Sequence, residues 1–230
     1  MKNCMLKSGF SVILMLATLL AYSQQKEERD VPSFTAIGLS ISGDLYLTQG
    51  SPQKVVIQSQ SDLDKIETEV KNGFLRIKTD TWNQRIKDVK IWITVPTVEG
   101  LHVSGSGNML AETSIDADEL ELKVSGSGKI KIPELSADEI EAAISGSGDI
   151  ILAGSADEID ISISGSGGVQ AGTLKVDEGS IKISGSGDCS IDVTGELEAL
   201  VSGSGTVTYY SNPQVDARVS GSGKVKKGNR

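Results

Sequence analysis

Histidine and cysteine are almost missing from this chain, with one His and two Cys in 230 residues. So few nitrogen and sulfur ligands exclude a zinc site built from His and Cys. The single His102 has no serine and acid at a spacing that would mark a nucleophilic triad, so it reads as a solvated strand residue. Cys4 precedes an apolar stretch at the N-terminus, so once that stretch is removed only Cys189 is left and no internal disulfide can form. Aromatic residues make up 4% of the chain. A ring platform for sugars therefore rests on Trp82 and Trp92, for which packing in the N-terminal region is the plainer role. Basic residues are scarce relative to acids, 22 Lys and Arg against 31 Asp and Glu. They form few clusters, which argues against nucleic acid and anionic membrane surfaces as partners.

Long hydrophobic runs are also lacking, apart from Phe10 to Leu20. Lys2 and Lys7 precede that run and Ala21-Tyr22-Ser23 follows it, the pattern of a signal peptide over residues 1–23 with cleavage before Gln24. The run is short for a membrane span and no second one follows, so the mature chain is expected to lack a transmembrane segment. Removing Lys2 and Lys7 takes the formal charge from −9 to −11. Residues 24–33 read as a linker.

What the sequence does have is repetition. Ser-Gly-Ser-Gly begins at Ser104, Ser125, Ser145, Ser164, Ser184, Ser202 and Ser220, at spacings of 21, 20, 19, 20, 18 and 18 residues. A period of this length marks a solenoid in which each repeat is one coil. Immediately before the motif stand Val103, Val124, Ile144, Ile163, Ile183, Val201 and Val219. Two residues earlier stand Leu101, Leu122, Ala142, Ile161, Ile181, Ala199 and Ala217. After the motif, Met109, Ile130, Ile150, Val169, Cys189, Val207 and Val225 resume the alternation. This period of two is that of strands with one buried face, and it makes Cys189 a buried hydrophobe.

The chain thus enters each motif as one strand and leaves it as another. The paired glycines, Gly105 and Gly107, Gly126 and Gly128, Gly146 and Gly148, Gly165 and Gly167, Gly185 and Gly187, Gly203 and Gly205, and Gly221 and Gly223, are read as structural corners. Stacked coils then pair their strands in parallel at about 4.8 Å. The fold class that follows is all-β, a right-handed parallel β-helix with coils of roughly 20 residues. The motif serines are read as small corner residues whose hydroxyls bond neighbouring backbone or stack in a ladder.

Residues 34–100 differ. Ile41-Ser42-Gly43-Asp44 resembles a degenerate corner, and Lys71-Asn72-Gly73-Phe74 signals a hairpin with a type I′ turn. Val89 to Val95 alternates as a strand in which Trp92 faces opposite to Ile91 and Ile93. We expect an irregular, partly antiparallel N-terminal β cap over residues 34–100, forming one unit with the seven-motif solenoid of residues 101–230. At the other end Lys224, Lys226, Lys227 and Arg230 discourage end-to-end stacking.

Phe34-Thr35-Ala36-Ile37, Ser42-Gly43-Asp44, Asn72-Gly73-Phe74-Leu75 and Ile93-Thr94-Val95-Pro96 lead into Leu101-His102-Val103-Ser104-Gly105-Ser106-Gly107. In that order, behind an export signal, they resemble the bacterial head GIN domain family, described as auto-transporter adhesin heads and of unknown function. The resemblance covers almost all of the mature chain. It implies a β-solenoid in the periplasm, on the outer-membrane surface or secreted, in a Bacteroidetes-like bacterium. It supplies no catalytic residues.

The outward columns carry the remaining signal. Glu121, Glu141, Asp160, Glu198 and Asp216 stand four residues before the motif, and Glu119, Glu139, Glu158, Glu178 and Glu196 stand six before it. Unit charges one rung apart repel by only ~0.9 kcal/mol in bulk water, so a solvated acidic face is tolerable. Lys123, Lys182 and Arg218 lie beside it and can neutralise part of it. Ca²⁺ shared between Glu119, Glu139, Glu158, Glu121, Glu141 and Asp160 is the alternative, with no other cofactor indicated. The reading is an exported, non-catalytic, adhesin-like module that contacts a glycan or protein at the cell envelope. The alternatives are a carbohydrate-active β-helix enzyme, for which unlike paired acids in a cleft would be required, and a Ca²⁺-stabilised scaffold.

Overall fold

The computed structural model describes residues 25–79, 86 and 88–229. The expected signal peptide at residues 1–23 and Trp82 lie outside the described residues. The N-terminal region contains β1 (Gln25–Arg29), β2 (Ala36–Leu39), β3 (Asp44–Gln49), β4 (Lys54–Ser59), β5 (Ile66–Lys71), β6 (Phe74–Thr79) and β7 (Lys90–Val95). A single 3-10 turn, Leu63–Lys65, precedes β5. The next coil is β8 (Gly100–Gly105) and β9 (Asn108–Ala111). Long bent strands follow: β10 (Ile115–Gly126), β11 (Lys129–Gly146), β12 (Asp149–Gly165), β13 (Gly168–Gly185) and β14 (Asp188–Gly203). The solenoid finishes in β15 (Thr206–Tyr209), β16 (Gln214–Gly221) and β17 (Lys224–Lys227).

The repeat region is a parallel β-solenoid. The column before the motif stacks Val103, Val124, Ile144, Ile163, Ile183, Val201 and Val219 in unbroken register, and the motif glycines pair with their equivalents in the same ladders. All but the last of that column are buried. Burying an aliphatic side chain of this size stabilises by about 1.5–3 kcal/mol, so the columns are the main apolar contribution of the fold. Cys189 occupies one of them, is 2% exposed, and burial pushes its thiol up to about 12. That keeps it protonated and unreactive.

Each coil bends at more than the motif. Along β11 the buried–exposed alternation breaks at Pro133-Glu134 and again at Asp138-Glu139, where two successive residues face outward. The same double break follows Ala156 in β12 and Val176 in β13. The coil therefore has three sides, and the Glu139 column lies along an edge beside the side that carries Glu141.

The two motif glycines do different jobs. Every first glycine has φ between +114° and +128°, a region L side chains rarely adopt. The second glycines are not in that region. They are required by close approach, since a Cβ on Gly187 would stand 2.5 Å from the Gly167 carbonyl oxygen. The corner is bonded through backbone, because Ser147 N–H donates to Gly126 O at 2.8 Å and Ser166 N–H to Gly146 O at 2.8 Å. Among the described residues the motif hydroxyls make no hydrogen bond, contrary to the bonding expected of them.

The span expected as a linker, residues 24–33, contains a strand. Gln25–Arg29 is β1, antiparallel to β4, and Arg29 Nη2 donates to Leu63 O at 2.9 Å. A run of charged residues carries no hydrophobic period, so this pairing left no mark in the sequence. The N-terminal sheet also stacks out of chain order. β2 lies between β6 and β8, and β3 between β7 and β9, so the coil made by β6 and β7 is outermost. Antiparallel β4 and β1 continue from β7, and β5 folds back on β6 through Asn72 and Gly73, both at positive φ. Together they make the N-terminal sheet irregular and nearly closed.

Corner geometry gives a direct test. Gly105 has nothing within 4 Å of an added Cβ, whereas Gly146 would place one 2.5 Å from Gly126 O. Both have positive φ, so each alanine variant is expected to lose about 1–3 kcal/mol from backbone strain. Gly146→Ala is expected to lose more than Gly105→Ala in urea unfolding. Equal losses would show that the stacked approach is not a constraint.

Candidate functional site

The side of the solenoid between the Asp138-Glu139 bend and the motif carries the outward columns. Glu119, Glu139, Glu158, Glu178 and Glu196 are partners in successive rungs, ending opposite Gln214. Beside them run Gly100, Glu121, Glu141, Asp160, Ser180, Glu198 and Asp216, and then His102, Lys123, Ala143, Ser162, Lys182, Leu200 and Arg218. The candidate cation ligands Glu119, Glu139, Glu158, Glu121, Glu141 and Asp160 therefore form two parallel rows. Among the described residues no three His, Cys, Asp or Glu side chains converge as a metal site.

Two shallow hollows open on this face. One, of about 420 Å³, lies where the Thr97–Glu99 segment meets Asp118, Glu119, Glu121, Glu139 and Glu141. The other, of about 390 Å³, lies over Gly179 and Ser180, among Glu158, Glu178, Glu196, Glu198 and Asp216. The second has a simple cause, since Ser180 puts a small side chain where the neighbouring coils carry Asp160 and Glu198. Both hollows are walled by Asp and Glu side chains and neither contains an aromatic ring.

One ladder acid differs from the rest. Glu121 stands opposite Gly100, whose missing side chain leaves room for the His102 ring to lean across; His102 Nε2 lies 3.7 Å from where a Cβ on Gly100 would be. That nitrogen is 2.5 Å from Glu121 Oε2, and the His102 ring packs 5.1 Å from that of Phe74. Lys123 ion-pairs with the other carboxylate oxygen. The Lys123 hydrogen bond, with that of His102, outweighs desolvation and holds the Glu121 carboxyl below the usual carboxylate range. His102 is thus a half-buried partner at the seam between cap and repeats, not the solvated strand residue its isolation in the sequence suggested. A carboxyl held low is the reverse of what a general acid needs.

A second surface lies on the cap. Ile91 and Ile93 are buried and Trp92 faces outward, stacked on Tyr46 at 5.8 Å and 19°. Lys26 Nζ sits 4.8 Å over the Trp92 ring. Tyr46, Met109 and Leu110 line an apolar hollow of about 260 Å³, rimmed by Asp44, Asn108, Lys129 and Lys131. The sequence could not have assembled this group, because Tyr46, Trp92 and Leu110 come from strands β3, β7 and β9, far apart along the chain.

The family model described as "Putative auto-transporter adhesin, head GIN domain" matches residues 33–213, and the chain belongs to that family. In fold it is similar to a crystal structure described as a "putative adhesin" from Bacteroides fragilis, with 25% identity and a TM-score of 0.86 over 90% of this chain and 97% of that one. A "putative adhesin" from Parabacteroides merdae is also 25% identical, with a TM-score of 0.73 over 90% and 96% of the two chains. A "putative lipid binding protein" from Parabacteroides distasonis, at 22% identity, has a TM-score of 0.73 over 90% and 97% and shares the fold. No curated protein matches the chain.

The depressed Glu121 carboxyl contributes stability that is present at neutral pH and is lost as pH falls through its folded value. Glu121→Gln is therefore expected to flatten the loss of stability on acidification below about pH 4, read by denaturant unfolding at several pH values. An unchanged acid limb would show that the His102–Glu121–Lys123 contact does not stabilise the fold. Because the ladder acids run in rows and do not converge, millimolar Ca²⁺ is expected to leave the melting midpoint unchanged. A clear upward shift would show a shared cation.

Proposed function

We propose that this head GIN domain protein is an exported, non-catalytic, adhesin-like module that presents its solenoid walls to a glycan or protein at the cell envelope. The observation that carries the reading is the wall itself. From Glu121 to Asp216 the outward side chains repeat rung after rung, solvent-facing and in register, on a backbone that a corner bond fixes at every coil. A rigid, extended, chemically periodic surface suits contact with an extended partner, as in other repeat proteins. Catalysis by paired carboxylates calls instead for two acids in unlike environments, and the one distinguished acid, Glu121, is held in its charged form. The family description and the Bacteroides fragilis neighbour support the same reading. Export rests on the leader at residues 1–23, and among the described residues no helix is long and apolar enough to cross a membrane.

The purified protein is expected to bind in a screen of envelope glycans and fixed cells. Reversing charge at Glu141, Asp160 and Glu158 together, or replacing Tyr46 by Ala, is expected to identify the wall in use through loss of that binding by about tenfold or more. Protease added to intact cells is expected to cleave the protein if the wall faces outward. Release of reducing ends from a polysaccharide by the purified protein would overturn the non-catalytic reading.

A further inference from the structure

The two ends of the solenoid are unlike. At the N-terminal end antiparallel β1, β4 and β5 extend the stack into an irregular, nearly closed sheet, whereas β16 at the other end pairs with β14 along one edge. Among the described residues no strand covers its other edge. All of β16 is exposed, including Val215 at 36% and Val219 at 45%, although both belong to columns that are buried in the coils below. An open strand edge with inward-facing valines in water is a template for another strand.

The sequence of β16, Gln214-Val215-Asp216-Ala217-Arg218-Val219-Ser220-Gly221, reads as its own complement when laid antiparallel on itself about Ala217. Val215 then faces Val219 of the partner subunit on the inner side, with Ala217 opposite Ala217 of the partner subunit. On the outer side Asp216 faces Arg218 of the partner subunit and Gln214 faces Ser220 of the partner subunit. Other registers fail. Slipping the register by one residue, which puts the axis between two residues, places a charged position against a valine or alanine, and centring it on Asp216 or Arg218 sets like charge on like charge. Arg218 and Asp216 already lie 3.6 Å apart within one chain, so both are in position to exchange partners across the axis.

From this complementarity we propose that β16 is a self-association edge, through which two copies of the chain join tail to tail as a closed two-fold dimer. The occupant is a second copy because both faces of the strand complement themselves in one register only. The lysines of β17 do not oppose the pairing. A two-fold axis through Ala217 reverses β16, so the Ser220–Gly223 corners and the β17 strands beyond them leave at opposite ends of the contact. The lysines guard the β17 edge while the β16 edge stays available. Because the contact is two-fold and uses the same edge in both copies, association through it stops at two and does not run on into a filament. The pairing continues the outer wall of one copy into that of the other, with the carboxylate rows offset across the axis.

Sedimentation of the purified protein over a range of concentrations tests this, with folding checked by far-UV circular dichroism. The natural chain is expected to form dimers. Asp216→Arg alone and Arg218→Asp alone set like charges together twice per dimer and are expected to weaken association by about tenfold or more. The double variant D216R/R218D restores opposite charges across the axis and is expected to recover dimerisation. A natural chain that remains monomeric at every concentration overturns the proposal. So do folded single variants that associate as tightly as the natural chain, or a double variant no tighter than the singles. These readouts do not involve a glycan or envelope partner, so their outcome is independent of the binding screen.

Discussion

Everything in the repeat region hangs on one contact, the backbone N–H of the second motif serine donated to the carbonyl of the first glycine in the coil below. Ser127 to Gly105, Ser147 to Gly126, Ser166 to Gly146, Ser186 to Gly165 and Ser204 to Gly185 repeat it at 2.8 Å. The contact needs a left-handed backbone at the first glycine and no side chain at either glycine, because the corners stack within touching distance. Once it is made, rung spacing and register are set for both sides that leave the corner. The aliphatic columns then fall on top of one another without further specification.

A fixed register has a cost on the outer surface, since residues of one type are stacked at one-rung spacing whatever their charge. The acidic columns tolerate this because solvent and salt screen neighbouring carboxylates. Where a ladder acid is not fully solvated, the chain supplies partners, as the Lys123 ammonium and the His102 ring do for Glu121 at the seam with the cap. A small residue in the same columns opens a shallow hollow, as Ser180 does. The surface chemistry of this protein is therefore a by-product of the same stacking that builds its core, modified at a few positions. That suits display and contact better than the enclosed asymmetry of an enzyme site.

A parallel stack has two ends, and each exposes strand edges and the inward faces of its last coil. This chain treats them differently. At one end antiparallel strands fold over the stack, and β5 and β6 are joined by a tight I′ turn at Asn72-Gly73 whose positive φ values the sequence announces. At the other, the lysines of β17 guard one edge and β16 is left with valines in water and one acid and one base in alternating outward positions.

The sequence by itself determined the repeat, the two strands flanking each motif, the buried columns with Cys189 among them, and the Asn72-Gly73 hairpin. Each depends on local backbone preference or on a period of two, which a one-dimensional string records faithfully. It also placed the carboxylate rows correctly along the coils. It did not reveal the two further bends in each coil, which are marked only by pairs of outward residues such as Asp138-Glu139. Nor did it reveal that Gln25–Arg29 is a strand, because that charged segment pairs through its backbone and has no apolar face. The insertion of β2 and β3 between the coil of β6 and β7 and that of β8 and β9, the His102–Glu121 contact and the Tyr46–Trp92 stack were decided by tertiary structure alone. All of these depend on which strand lies beside which, and neighbours brought together from 20 to 60 residues away leave no periodic trace in the chain.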